Sequence, residues 1–324
     1  MDFYKNLLSR GSITAVQSCC RVNVRSVAKY IVKLRYVLAT LLLIGFFLQP
    51  CRADESLWSG AEGKAALEAY DDQRYSEAAE RMERLLARYP DDLKLNFYLG
   101  RIALWFDDAP KGLGYLEKAA RLEADDAGIQ NALGDAYGLT AQKSVLIAKL
   151  SWAKKSKLAY EKAVRTDPRN LIYRWSLLEF YQLAPKIAGG GIEKAYAQAV
   201  EMRNIDEVEG RAASAALHLS EHEVKEAFAA LDFTGKTPAE ECRREFYFGR
   251  CAALSGERLE QARELLKRCA EQAEKTDRLF RASIHFRLAD ILAKLGQPEN
   301  SRAERNLARE TFPDFRPDKL GLRY

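Results

Sequence analysis

The chain has 324 residues, 48% of them hydrophobic and 30% charged, a balance that excludes a disordered chain and a multi-span membrane protein. The formal charge of +5 is concentrated at the start: residues 1–53 hold eight basic side chains against Asp2 alone, and the 43 basic and 45 acidic residues that remain leave 54–324 two charges negative. That near-neutral remainder supplies no global basic field, so nucleic acid is not an expected partner.

The first 53 residues read as a leader. Val37 to Leu48 is apolar apart from Thr40 and Gly45, and it follows Lys29, Lys33 and Arg35. Twelve residues are too few to span a bilayer and suit the apolar core of a signal peptide. Ala53 is a small residue fit for the position before the cut, with Cys51 two places earlier. Cleavage after Ala53 and export to the periplasm or medium are therefore expected. An uncleaved N-terminal membrane anchor is the alternative. A lipid-modified Cys51 is disfavoured by the Gln49-Pro50 approach, and the long basic start allows a true initiation nearer Val32 or Val37.

From residue 54 onward the chain repeats itself. Asp91-Asp92 recurs as Asp125-Asp126, Leu99-Gly100 as Leu133-Gly134, and Asn96 as Gln130, each 34 residues later. Good helix formers dominate the composition, and no strand alternation is found, so the expected fold class is all-α. The frame Asn96-x2-Leu99-Gly100-x2-Ala103, Gln130-x2-Leu133-Gly134-x2-Tyr137 and Arg174-x2-Leu177-Leu178-x2-Tyr181 resembles the tetratricopeptide repeat, a helix–turn–helix unit of this length. Second helices show Ala78-x3-Met82, Gly112-x3-Leu116, Ser156-x3-Tyr160 and Ala195-x3-Ala199, and Pro90, Pro168 and Pro313 stand where that family closes a repeat. The resemblance implies a right-handed superhelical solenoid of antiparallel helix pairs.

Repeats are expected near 59–92, 93–126, 127–170, 171–205 and 282–315, with a degenerate helix pair at 206–237 and a better one at 238–276. The organisation is thus a leader (1–53), repeats with two insertions (54–205), the degenerate pair (206–237) and C-terminal pairs (238–324). Leu116-Glu117-Lys118-Ala119 matches Tyr160-Glu161-Lys162-Ala163 at a spacing of 44. That places a ten-residue insertion between Tyr137 and Ser156, near 138–155. A shorter one falls near 185–191. There, Ala184-Pro185…Gly189-Gly190 is similar to a loop of exported bacterial tetratricopeptide-type proteins. Gly189-Gly190-Gly191 lacks a Gly-Lys-Ser/Thr ending and a preceding strand, so it is not a nucleotide loop.

Few constellations carry chemistry. His218 and His222 lie four apart, but Ser220 with Glu223 reads as a capping box that starts a helix between them. With no third ligand, no metal site is expected. No cofactor motif, catalytic triad, HExxH or GxSxG elbow is present, and the chain is expected not to be an enzyme. Cys242 and Cys269 flank the Ser255-Gly256 turn almost symmetrically, so antiparallel helices make them a candidate disulfide in an exported protein; buried thiols are the competing reading. Lys149, Lys154, Lys155 and Lys157, interleaved with apolar residues over 143–165, form a basic amphipathic surface. It suits membrane-surface or cell-wall contact, or is a solvated face of a lengthened helix pair.

The resemblance also implies a function, because in this family the first helix of each pair lines a groove that binds a protein or peptide partner. Carried over, it points to Phe97, Arg101, Trp105, Asn131, Asp135, Trp175 and Glu179. Phe97 and Asp135 depart from the Lys and Asn pattern with which the family clamps a terminal carboxylate. An adaptor of the cell envelope is the leading expectation. An envelope enzyme or enzyme subunit, and a protein acting at the membrane surface through 143–165, are the alternatives.

Overall fold

The computed structural model describes residues 55–273, 278–319 and 321; the expected leader, its cleavage point and Cys51 lie outside them. Fifteen α-helices and no strand occur among the described residues. A short α1 (Glu55–Ser59) leads into seven antiparallel pairs: α2 (Ala61–Asp71) with α3 (Tyr75–Arg88), α4 (Leu93–Trp105) with α5 (Ala109–Leu122), and α6 (Ala127–Lys143) with α7 (Leu146–Thr166). There follow α8 (Leu171–Leu183) with α9 (Ile192–Ile205), α10 (Glu207–Ser220) with α11 (Val224–Ala230), α12 (Pro238–Ser255) with α13 (Leu259–Gln272), and α14 (Arg278–Lys294) with α15 (Pro298–Thr311).

The recurring letters have separate local jobs. Asp92 and Asp126 are N-caps, accepting hydrogen bonds from the Leu95 and Ile129 amides at 2.8 and 2.7 Å. Each such cap is worth about 1 kcal/mol. The polar residue four places on reaches back over the turn: Asn96 to the Pro90 carbonyl, Gln130 to that of Ala124 and Arg174 to that of Pro168, always six residues earlier. Lys118 and Lys162, from the second helices, donate to the same Pro90 and Ala124 carbonyls. These are turn-stapling contacts, which is why they repeat.

The small residue of the frame is a crossing point. A Cβ at Gly100 would lie 2.6 Å from Leu116, and one at Gly134 would lie 2.4 Å from the Tyr160 ring. Such distances leave no room for alanine, so the large residue of the second helix fills the hole opened by the glycine.

The ten extra residues do not form a loop. They lengthen both members of one pair, giving α6 17 residues and α7 21. The expected capping box at Ser220 is a correction. The Ser220 hydroxyl donates back to the Leu217 carbonyl, α10 ends at Ser220 and the next helix starts only at Val224. The two imidazoles are separated by that helix end, with His222 itself in the left-handed conformation, φ 64°.

Burial follows the stack. One core joins residues from 57 to 102, a second those from 104 to 159, and a third, the largest, those from 160 to 292. A fourth cluster joins the two ends of the described unit. Ala282, Ala308 and Phe312 pack there with Tyr75 and Trp105. The Leu279 amide donates to the Gln73 side chain at 2.8 Å. The stack therefore closes on itself, last pair against first.

Candidate functional site

The inner side of the stack bears an open cavity of about 800 Å³. Its wall includes Arg101 and Trp105 of α4, Asp135 of α6, Tyr160 of α7 and Glu179 of α8. Four of the seven residues expected in a groove thus face one space. Arg101 and Asp135 are exposed, but the water they meet is that of a cavity walled by protein. The Arg101 guanidinium lies 5.7 Å from the ring centres of both Tyr70 and Phe97, a pair of cation–π contacts that orient it. Phe97 therefore supports the site from behind.

Asp135 accepts a 2.7 Å hydrogen bond from the Tyr160 hydroxyl. Burial pushes its carboxyl up to about 6, against the opposing pull of the Tyr160 hydrogen bond and the Arg101 charge, while Glu179 adds to the rise. Burial dominates because the walls exclude most of the water that would solvate the carboxylate.

Two of the expected groove residues, Asn131 and Trp175, are packed inside instead. Trp175 is 4% exposed. Its indole N–H donates to Glu209 at 2.7 Å and its ring stacks with Tyr247. Glu209, itself buried, also accepts from the Tyr247 hydroxyl and from Arg243, which bonds Asp206 as well. A tryptophan that needs both apolar packing and an N–H partner finds them here between helix pairs, away from the cavity.

The residues the sequence did not reveal as site components are those of the C-terminal segment. After α15 the chain turns back across the first pairs. Phe312, fully buried, stacks with Trp105 at 5.6 Å and meets Tyr75 edge-on at 5.8 Å. The Trp105 indole N–H donates to the Asp314 carbonyl at 2.9 Å. The Asp314 carboxylate accepts from the Ser76 amide at 2.8 Å and from its hydroxyl at 2.7 Å. Since Arg74 gives α3 no side-chain cap, Asp314 supplies the missing anionic acceptor across 238 residues of sequence. Lys319 pairs with Asp107 at 2.8 Å, and Gly321 lies against Glu179. The signal was present as Phe312-Pro313-Asp314-Phe315, two apolar rings flanking a helix-stopping proline.

Arg250 and Arg287, also missed, are buried on α12 and α14. Burial pulls both guanidinium groups below their ordinary range, Arg287 to about 10 with Arg250 as the second cause. Two like charges are thus held near each other, with Glu179 acting on Arg250 in the opposite sense.

The other ionisable candidates are structurally engaged. His218 lies 2.7 Å from Glu223 and 3.1 Å from the Tyr196 hydroxyl. His285 lies 2.7 Å from Glu304. No group of three or more metal-ligating side chains occurs among the described residues. Cys242 and Cys269 form a disulfide with Cα atoms 4.6 Å apart, joining the start of α12 to the end of α13. Cys251 is free and buried, and burial raises its thiol to about 11.

The basic surface is only partly free. Lys155, though exposed, sits 4.2 Å over the Trp152 ring, Lys157 is 3.9 Å from Glu161, Lys154 is exposed, and Lys149 is exposed at the cavity wall.

No family model matches the sequence, and no curated protein matches it. Among solved structures it is similar to a thermophilic TPR protein of Thermus thermophilus, at 20% identity and a TM-score of 0.46, over 64% of this chain and 95% of that one. A tetratricopeptide repeat protein of Parabacteroides merdae gives 12% identity and a TM-score of 0.46, over 78% of this chain and 96% of that one. The APC/C hetero-tetramer Cut9–Hcn1 gives 12% and 0.44, over 80% and 48%. These likenesses lie below the level at which a shared function follows. The 34-residue recurrences, the stapled turns, the Gly100–Leu116 and Gly134–Tyr160 crossings and the seven antiparallel pairs give this chain the architecture of a tetratricopeptide-type helical-repeat protein.

Proposed function

We propose that this chain is a non-catalytic protein-binding scaffold of the cell envelope, exported by its leader, whose inner face holds an irregular peptide segment of a partner. One observation carries the reading: the inner face already holds such a segment, its own residues 312–319, by the means a peptide site uses. Aromatic side chains take an aromatic anchor, an indole N–H takes a backbone carbonyl, and a helix N-terminus takes a carboxylate. The unfilled part of the cavity, with Arg101, Asp135 and Glu179 in its wall, is where a partner segment would continue.

Capture of partners from an envelope extract by the full chain tests this. Arg101→Ala removes two cation–π contacts, worth about 0.5–1 kcal/mol each, so the fold survives while an interface anchor, worth about 2 kcal/mol or more, is lost. Leu99→Ala is the control that harms capture only through unfolding. If Arg101→Ala captures normally, and replacing Lys154 and Lys155, which lie outside the cavity wall, by Glu abolishes capture, the inner face is not the working surface.

A further inference from the structure

The two segments that interrupt the repeat frame meet in space. The 3-10 turn Lys186–Ala188 packs on α7. At Gly189, where φ is 96°, a Cβ would lie 2.7 Å from the Lys157 side chain, so the loop rests directly on that helix. Gly190 allows the fold-back, because a Cβ there would sit 1.8 Å from the Ala184 carbonyl. Leu146 and Leu150 of α7 share the cavity wall with Leu183 of α8. Both insertions thus border one mouth of the cavity.

This mouth carries an unusual surface. Val145, Leu146 and Ile147 are 80%, 74% and 86% exposed, and Leu183 and Ile187 are exposed beside them. Between residues 138 and 160, and between 183 and 191, every charged residue is a lysine and none is acidic. Lys143 is engaged by Asp107, Lys155 by Trp152 and Lys157 by Glu161. Lys149, Lys154 and Lys186 are exposed and have no acidic partner among the described residues.

We propose that this surface docks the protein on a membrane through anionic lipid headgroups. Val145 is the extended N-cap of α7, and Leu146 and Ile147 of its first turn point about 100° apart around the axis, so the three apolar side chains splay from the helix end. No single flat protein face covers all three, whereas a soft lipid interface admits the whole tip. The acid-free lysine set around the tip matches a negatively charged leaflet, where each lysine strengthens binding about fivefold. An acidic protein groove would match the charge but not the splayed apolar tip.

The test uses the full chain with vesicles of phosphatidylglycerol mixed into phosphatidylcholine, and with phosphatidylcholine alone. Hydrogen exchange is read locally, so that any lipid contact by residues 1–53 is not counted. The expected result is slowed exchange in 144–150 and 185–189 with the anionic vesicles only. The triple change V145S/L146S/I147S should abolish that protection, and K149E/K154E/K186E should weaken it at least about a hundredfold. Both variants alter exposed side chains, so circular dichroism and melting should be unchanged. The proposal is overturned by no protection at these segments, by equal protection with both vesicle types, or by protection that survives either variant. Capture of a protein through these residues without vesicle protection overturns it too.

Discussion

Phe312→Ala probes the contact on which the closed stack depends. The side chain is fully buried against Trp105, Tyr75 and Phe315. Truncating a buried phenylalanine costs about 3–5 kcal/mol, a large share of the roughly 5–15 kcal/mol that holds a domain folded. The contact joins segments more than 200 residues apart, so the loss can appear in either of two ways. If closure is coupled to the whole fold, the melting temperature falls by of order 10 °C. If closure opens by itself, the melt changes little and the junction alone loosens. Hydrogen exchange reads both. The Ser76 amide, bonded to Asp314, and the Leu279 amide, bonded to Gln73, should exchange at least about tenfold faster in the variant. Amides of α9 and α10, in the middle of the stack, report whether the effect is global. An unchanged melt together with unchanged exchange at Ser76 and Leu279 would refute the closed arrangement, and with it the view that the inner face holds residues 312–319.

Gly134→Ala should destabilise by at least about 2 kcal/mol in denaturant melts, since its Cβ would enter the Tyr160 ring; a neutral change would mean the helices part easily. Leu99→Ala, at a residue 2% exposed, should cost about 2–5 kcal/mol by the same measure. Asp135→Asn tests the raised carboxyl. The folded value of about 6 lies above the ordinary 3.8, so the native state holds the extra proton and the wild type loses stability as pH rises between those values. The amide does not titrate, so the variant should melt higher than wild type at pH about 8, with the gain shrinking towards pH about 4; a pH-independent difference would rule out the titration. Cys242→Ser opens a loop of 27 residues and should cost about 3–4 kcal/mol on the chain-entropy model. Cys251 should be alkylated only after unfolding, which mass spectrometry checks.

Most of the fold was legible because its causes are local. Asp92 and Asp126 cap the helices that follow them within three residues, and Asn96, Gln130 and Arg174 staple turns six residues behind. Contacts of such short reach leave a fixed spacing in the sequence, and the 44-residue spacing of Lys162 from Lys118, ten more than the 34-residue repeat, is readable for the same reason. The inner positions Arg101, Asp135 and Glu179 were expected only through the resemblance, which puts the first helix of each pair on the groove, and all three line the cavity.

Tertiary structure alone decided the rest. Trp105 and Trp175 were both expected in the groove, yet one lines the cavity and holds Asp314 while the other is buried against Glu209. They stand nine places after Asn96 and one after Arg174, but the partner of each, Asp314 or Glu209, is brought by a different repeat, and that decides its burial. The role of Phe312 and Asp314 is hidden for a stronger reason. Their partners, Tyr75, Trp105 and Ser76, come within reach only after seven helix pairs have turned the chain back on itself, and a contact made by the accumulated rotation of a stack leaves no periodic trace at either end.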